Sequence, residues 1–372
     1  MLTCPSGLSR HIELNYKGGN KMANKVTGRT DTSGALSTAP VAPKSIIIVS
    51  TAGSDKTADH ADKTIFSITG TNDAVAAFGA TSIASKVVRV LISNGVNNIK
   101  GIIVPNTGES ALADTLDATM SDKTIKMIIC LKNDTATVSA VKDHLILAEN
   151  NDIFRYSVFA PSTSDTADQT KLTAFAKTVD SDRIFIPGPA LTIGAEAADP
   201  QVVAAGLAAV IMTETDDPAL PMNSVNIAGF SGMSRVMLDT EMRALANAGV
   251  TPLYPNGSNP AVYRLVTSAI DDKVWQEGTT RFIADYVLES NQEMLRANYR
   301  RTKNVARILE AIRSDIKINM EKMEAMEIIE NWDSATLTVV KDPEDMYGAL
   351  VDYEFDVVTP LYTITINQHM KL

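Results

Sequence analysis

At 372 residues, with 34 basic and 44 acidic side chains and a formal charge of −10, the chain is longer than one typical domain and acidic. That balance excludes wrapping of nucleic acid, which needs dense Lys and Arg to displace counterions from phosphates. A composition of 45% hydrophobic and 21% charged residues is that of a chain that buries a real core. No run approaches the roughly 18–20 apolar residues of a membrane span.

Residues 1–21 differ from the rest and lack the apolar core and small-residue cleavage site of a signal peptide. Lys17-Gly18-Gly19-Asn20-Lys21-Met22 back-translates to a purine-rich ribosome-binding stretch before a start codon. Met22 is therefore expected to be the natural start, with 1–21 a translated leader or disordered extension. Residues 22–45 are rich in Gly, Thr, Ser, Ala and Pro and read as an extended arm.

The fold should begin with a buried strand at 45–49. Strand-like and helix-like segments then alternate: helices at 72–78 and 82–94, a strand at 99–104, a helix at 109–120 and a strand at 124–131. Further on come a helix at 135–148, strands at 156–160 and 183–186 around a helix at 169–179, and an Ala-rich helix at 201–212. Gly95 stands where a helix C-cap glycine belongs, and Pro105, Pro161 and Pro187 stop strands. Such alternation predicts an α/β unit with a largely parallel sheet. Downstream the pattern changes to a helix at 239–248 and a strand at 261–267. A long helical region at 280–326, broken near Asn298 or Asn304, precedes strands at 336–340 and 351–366. The expected division is an arm at 22–45, an α/β domain at 46–225, a second domain at 226–348 and a strand arm at 349–372.

Catalytic patterns are missing. His11, His60, His144 and His369 are far apart and make no pair at metal-ligand spacing. There is no Walker A loop and no Gly-x-Gly-x-x-Gly turn. Gly229-Phe230-Ser231-Gly232 has Met233 where a nucleophile elbow needs its second glycine, so a plain turn is the better reading. Glu214, Asp216 and Asp217 suit either a hard cation or a solvated loop, as do Asp342 and Asp345. Trp275 and Trp332 read as packing anchors. Cys130 lies in an apolar run, and with Cys4 the only other cysteine, the pair reads as thiols of a reducing cytoplasm.

Leu245-Ala246-Asn247-Ala248-Gly249-Val250-Thr251, then Val262-Tyr263-Arg264-Leu265-Val266-Thr267, Arg281-Phe282-Ile283-Ala284-Asp285-Tyr286-Val287 and Thr359-Pro360-Leu361-Tyr362-Thr363-Ile364 follow Gly229–Gly232 in order. Upstream lie Asn72-Asp73-Ala74, Phe78-Gly79 and Asn94-Gly95. In this order and spacing, over about residues 40–372, the chain resembles contractile tail sheath proteins. The resemblance implies a mixed α/β body with a C-terminal sheath domain and terminal arms that add strands to neighbouring subunits. It implies hexameric rings stacked helically around an inner tail tube, contraction that drives the tube through an envelope, and a place in a virion tail or phage-tail-like particle assembled in bacterial cytoplasm. Partners would be further copies, the tube protein, and baseplate and tail terminator proteins, with no nucleic acid, no membrane insertion, no cofactor and no enzymatic step. A tube or baseplate protein, and an α/β enzyme, are the alternatives.

Two expectations concern particular residues. Tyr353, Phe355 and Val357, then beyond Pro360 Tyr362, Ile364 and Ile366, alternate with polar neighbours, so this strand must find a sheet edge, its own subunit's or a neighbour's. Arg296, Arg300, Lys303 and Arg307 recur at helical intervals and form a candidate tube-facing stripe, provided one helix runs through Asn298.

Overall fold

Ile46 and Ile48 point to one face of their strand and Ile47 and Val49 to the other, and all four are buried. A strand apolar on both faces needs helices above and below it, and the chain supplies them. The computed structural model describes residues 44–362 apart from 109, 163–167 and 346. The leader, the N-terminal arm as far as residue 43, and Ile364 and Ile366 lie outside the described residues.

The first part comprises β1 (Ser45–Thr51), β2 (Phe66–Ile68), α1 (Thr71–Phe78), α2 (Ala84–Ser93), β3 (Ile99–Val104), α3 (Ala111–Ala118) and β4 (Ile125–Cys130). It continues with α4 (Thr135–Glu149), β5 (Tyr156–Val158), α5 (Gln169–Val179) and β6 (Ile184–Phe185). These strands form one sheet in the order β2-β3-β1-β4-β5-β6, parallel except for β2. Asp134 and Asp168 cap α4 and α5 by accepting from backbone N–H groups of the first turn. Gly95 takes φ +87 just past α2, a conformation that costs a side-chain-bearing residue more.

Short pieces follow: β7 (Pro187–Gly188), β8 (Leu191–Ile193), β9 (Glu196–Ala197), α6 (Pro200–Glu214), β10 (Gly232–Met233), α7 (Asp239–Asn247), β11 (Thr251–Asn256), β12 (Asn259–Val262) and α8 (Lys273–Gln276). α6 is apolar all round and buried along its length from Val202 to Met212, packed with α1 and α2 on one face of the sheet. Gly206 allows that fit: a Cβ there would lie 2.8 Å from both Ile227 and Phe230. On the opposite face α3, α4, α5 and α7 cover Ile47, Val49, Ile128 and Cys130, giving three layers.

The last part is a separate small core. α9 (Gly278–Asn298) and α10 (Ala306–Ala325) enclose Ile283, Val287, Ile316, Met320 and Met323. Over this core lie β13 (Ile329–Glu330), β14 (Thr338–Lys341), β15 (Ala349–Asp352) and β16 (Asp356–Val357). β14 and β15 form an antiparallel hairpin, and β16 pairs antiparallel with β13.

Three sequence expectations need correction. The strand expected at 261–267 lies at Asn259–Val262, hairpinned with β11 through Gly257; Pro252 and Pro255 had masked β11, because proline donates nothing to a ladder. The long helical region does break near Asn298, as expected, and what fails is the stripe of Arg296, Arg300, Lys303 and Arg307 that needed one helix. α9 ends at Asn298, and Asn298 and Tyr299 both donate to Asp315 of α10, which folds the second helix back on the first. Arg296 is thus on α9, Arg300 and Lys303 in the connection and Arg307 on α10, so the four do not share one helical face. Finally, 351–366 is not one strand: the chain leaves the hairpin at Tyr353 and re-pairs at β16.

Candidate functional site

Two features outside ordinary core packing stand out, one buried and one exposed. The buried one runs along α9. Glu277, its N-cap, is followed at four-residue steps by Arg281, Asp285 and Glu289, which lie on one helical face. Every one of them is held from outside the helix. Arg264 donates to Glu277 from Nε and Nη2 at 3.1 and 2.8 Å. Arg281 reaches Asp182 at 2.9 Å and also Glu149 at the end of α4. Asp285 accepts from both Nη atoms of Arg183 at 2.6 and 3.0 Å and from the Tyr156 hydroxyl. Glu289 takes Lys126 of β4. One turn further, Gln292 and Arg296 donate to Asp152.

This ladder is the joint between the sheet and the C-terminal helices. Burial pushes the Asp285 carboxyl up, to about 6, against the pull of Arg183. Burial works equally against the Arg183 guanidinium, but the charges of Asp285 and Glu149, with the hydrogen bond to Asp285, outweigh it and hold the group above its ordinary value. Phe282 fills the gaps between the charges, edge-on to Tyr156 with ring centroids 5.0 Å apart. Trp275, expected to be a packing anchor, lies under the Arg281 guanidinium at 4.8 Å.

A second buried polar pair sits on the other face of the sheet. Arg155 donates to His144 Nε2 at 3.0 Å, so the ring proton is on Nδ1, 3.6 Å from Asp117. Burial, then the Arg155 charge, lowers the His144 pKa from 6.5 to about 4. A folded value below the unfolded one means that the neutral ring supports the fold above pH 6.5 and that this support is lost as pH falls toward 4. H144Q keeps an acceptor for Arg155 without titrating. Urea titrations at pH 7 and pH 4 should show the wild type losing about 3 kcal/mol more than H144Q between them. Equal losses would show that His144 is not the group responsible.

The exposed feature is the β14–β15 hairpin. Val339 and Val351 face the small core, while the cross-strand pair Val340 and Leu350 faces outward, 47% and 43% exposed. Among the described residues neither outer edge of this hairpin is paired.

The expected strand-arm residues fall into three groups. Tyr353, Phe355 and Val357 pack on their own subunit's small core; Tyr353 also stands edge-on to Trp332 and accepts from Asn291 at 3.2 Å. Tyr362, past Pro360, donates to Glu277 at 2.5 Å. Ile364 and Ile366 lie outside the described residues. Of the candidate tube-facing residues, Arg296 is tied to Asp152 and Arg300 bonds back to the Arg296 carbonyl. Ser231 donates to the Thr192 and Gly194 carbonyls as a turn residue does. Asp216 pairs with Lys44. Among the described residues no group of three or more His, Cys, Asp or Glu is placed to hold a metal ion. Burial raises the Cys130 thiol to about 12, which leaves it inert.

With this geometry in view, the comparisons are consistent. Residues 271–371, which hold α8 to β16, match the family described as the phage tail sheath C-terminal domain. No curated protein matches by sequence. The fold resembles the helical sheath of the anti-feeding prophage in its contracted state, with a TM-score of 0.71 at 15% identity over 94% of this chain and 99% of that one. The sheath complex of an extracellular contractile injection system, PVC, also contracted, gives 0.67 at 12% identity over 98% and 99%. A sheath tail protein of Desulfitobacterium hafniense gives 0.65 at 9% identity over 94% and 97%. The architecture is therefore a mixed α/β fold with a sheath-type C-terminal domain. Residues 271–371 thus match the sheath C-terminal domain, and over nearly the whole chain the fold is similar to that of these sheath structures.

Proposed function

We propose that the protein is the sheath subunit of a contractile tail or tail-like injection particle. It polymerises as stacked hexameric rings around an inner tube, meets baseplate and terminator proteins at the ends, and contracts to drive the tube through a cell envelope. The observation that carries this reading is the match of residues 271–371 to the sheath C-terminal domain, combined with a fold shared with sheath subunits over nearly the full chain. The work is done by packing: energy is stored in a bistable arrangement of subunits and no covalent step is involved.

Joining of subunits is assigned to strand addition on the β14–β15 hairpin. A two-stranded hairpin is marginal alone, and its outer edges offer unpaired backbone groups to an extended chain. The donors would be residues 22–45 and the alternating residues that follow Tyr362, including Ile364 and Ile366. Tyr353, Phe355 and Val357 are the root of the C-terminal arm rather than its exchanged part. Within the body, 46–225 would act as the outer α/β domain and 226–348 as the sheath domain. The corner formed by Arg300, Lys303 and Arg307, with Arg296 beside it, is the candidate contact for an acidic tube. Exposed charge pairs are worth on the order of 0–1 kcal/mol each, so the contact would depend on repetition around the ring.

Negative-stain imaging of the purified full chain tests the assignment. Hollow cylinders are expected; narrow rods would mean a tube protein, and discrete particles at all concentrations would remove the sheath reading.

A further inference from the structure

The last described side chain of the C-terminal segment is tied to the first rung of the α9 ladder. The Tyr362 hydroxyl donates to Glu277 Oε1 at 2.5 Å, while Arg264 holds Glu277 Oε2 and places its guanidinium over the Tyr362 ring at 4.8 Å. Glu277 is only 8% exposed. Burial, then the Glu277 charge, raises the phenol pKa above its ordinary value, so the hydroxyl is a donor at neutral pH. A hydrogen bond to a buried carboxylate is about twice as strong as a neutral one. Glu277 is also the N-cap of α9, and the residues four, eight and twelve positions on are tied to Glu149 and Asp182, to Arg183 and to Lys126.

We propose that Tyr362 is the anchor that passes tension in the C-terminal arm into α9, and through the α9 ladder into the sheet of the same subunit. The inference rests on the sheath reading, in which a neighbour holds the chain beyond residue 362. Tension entering there meets Tyr362 before it meets β16 or the hairpin. From Tyr362 it passes to Glu277, along a helix of about 1.5 Å rise per residue, and at Arg281, Asp285 and Glu289 into α4, β6 and β4. The arm thereby moves the α/β body directly. Without the anchor, residues 358–362 would peel away first and add about 16 Å of slack, so the arm could lengthen while the body stayed still.

Y362F deletes the bond to Glu277 but keeps the ring over Arg264, and chymotrypsin cleaves after Tyr and Phe alike. On the unassembled full chain, cleavage after residue 362 should accelerate at least about tenfold in Y362F, with the urea midpoint of the body unchanged. In cylinders, Y362F subunits should assemble yet dissociate at a clearly lower urea concentration than wild type, whereas Y347F, at an exposed position in the hairpin turn, should not. Equal cleavage rates would overturn the anchor. Faster cleavage with cylinders as resistant as wild type would overturn the transmission of tension. If the wild-type chain forms no cylinders, the sheath reading fails, and the cleavage comparison still decides whether Tyr362 fixes the root of the segment.

Discussion

Replacing Asp285 with alanine is expected to lower the free energy of unfolding by about 3–5 kcal/mol, a large share of what a domain usually has. The carboxylate receives two hydrogen bonds from Arg183 and one from Tyr156, and lies 3.1 Å from Arg281. The Arg183 side chain is 2% exposed. Removing Asp285 leaves that guanidinium with Glu149 alone, which is itself 38% exposed and shared with Arg281. The cost is thus a buried charge left with one shared, half-exposed partner, in addition to the lost bonds. The double replacement R183M/D285L should recover much of the loss, because a well-packed apolar pair matches or exceeds a buried ion pair in stability. Urea titration of the two variants and the wild type measures both effects. A loss below about 1 kcal/mol for D285A would place the joint in contact with water.

Ending the chain after Tyr362 should abolish cylinder formation while leaving the body folded. Ten residues are removed, Thr363 to Leu372, among them the alternating Ile364 and Ile366. Residues up to Tyr362 already have partners in their own subunit: β15 on β14, β16 on β13, Phe355 and Val357 on the small core, and Tyr362 on Glu277. The urea midpoint should therefore correspond to a change within about 0.5 kcal/mol, and images should show separate particles at concentrations where the full chain makes cylinders. A truncated chain that aggregates would show that 363–372 completes its own subunit. Normal cylinders would show that exchange of the C-terminal arm does not join the polymer.

The fold was readable where apolar runs are bounded by residues with fixed backbone habits. β3 runs from Ile99 to Val104 against Pro105, and α5 from Gln169 to Val179, as periodicity and punctuation predicted. The two-residue strands β7, β9 and β10 are too short to show any period, and β11 was hidden by its prolines. The ladder on α9 was missed for a different reason. Charges at four-residue steps are the ordinary pattern of a solvated helix face, and nothing local separates a buried row from an exposed one. The signal lay in the partners: Tyr156 opens β5 and Arg183 immediately precedes β6, buried positions where an unpaired polar group is costly. The motif containing Arg281 and Asp285 had drawn notice as a family resemblance, but its physical role needed the sheet to be in place. The break after Asn298 was anticipated; its cause, Asp315 receiving both Asn298 and Tyr299, is a long-range contact.

The central sheet offers little open edge at either margin among the described residues. β2, three residues long, runs opposite to its neighbour and is shielded by the His60 ring stacked on Phe66 at 3.9 Å. At the far margin Ser268 donates to the Ile184 carbonyl and Thr267 bridges Phe185. The hairpin edges of four residues each are the longer open ones among the described residues. In the proposed sheath lattice, where bodies of identical sequence would touch at very high local concentration, this difference would limit the valence of each subunit. Bodies would then slide past one another without zipping together, which would suppress off-register aggregation while leaving the proposed hairpin junctions available.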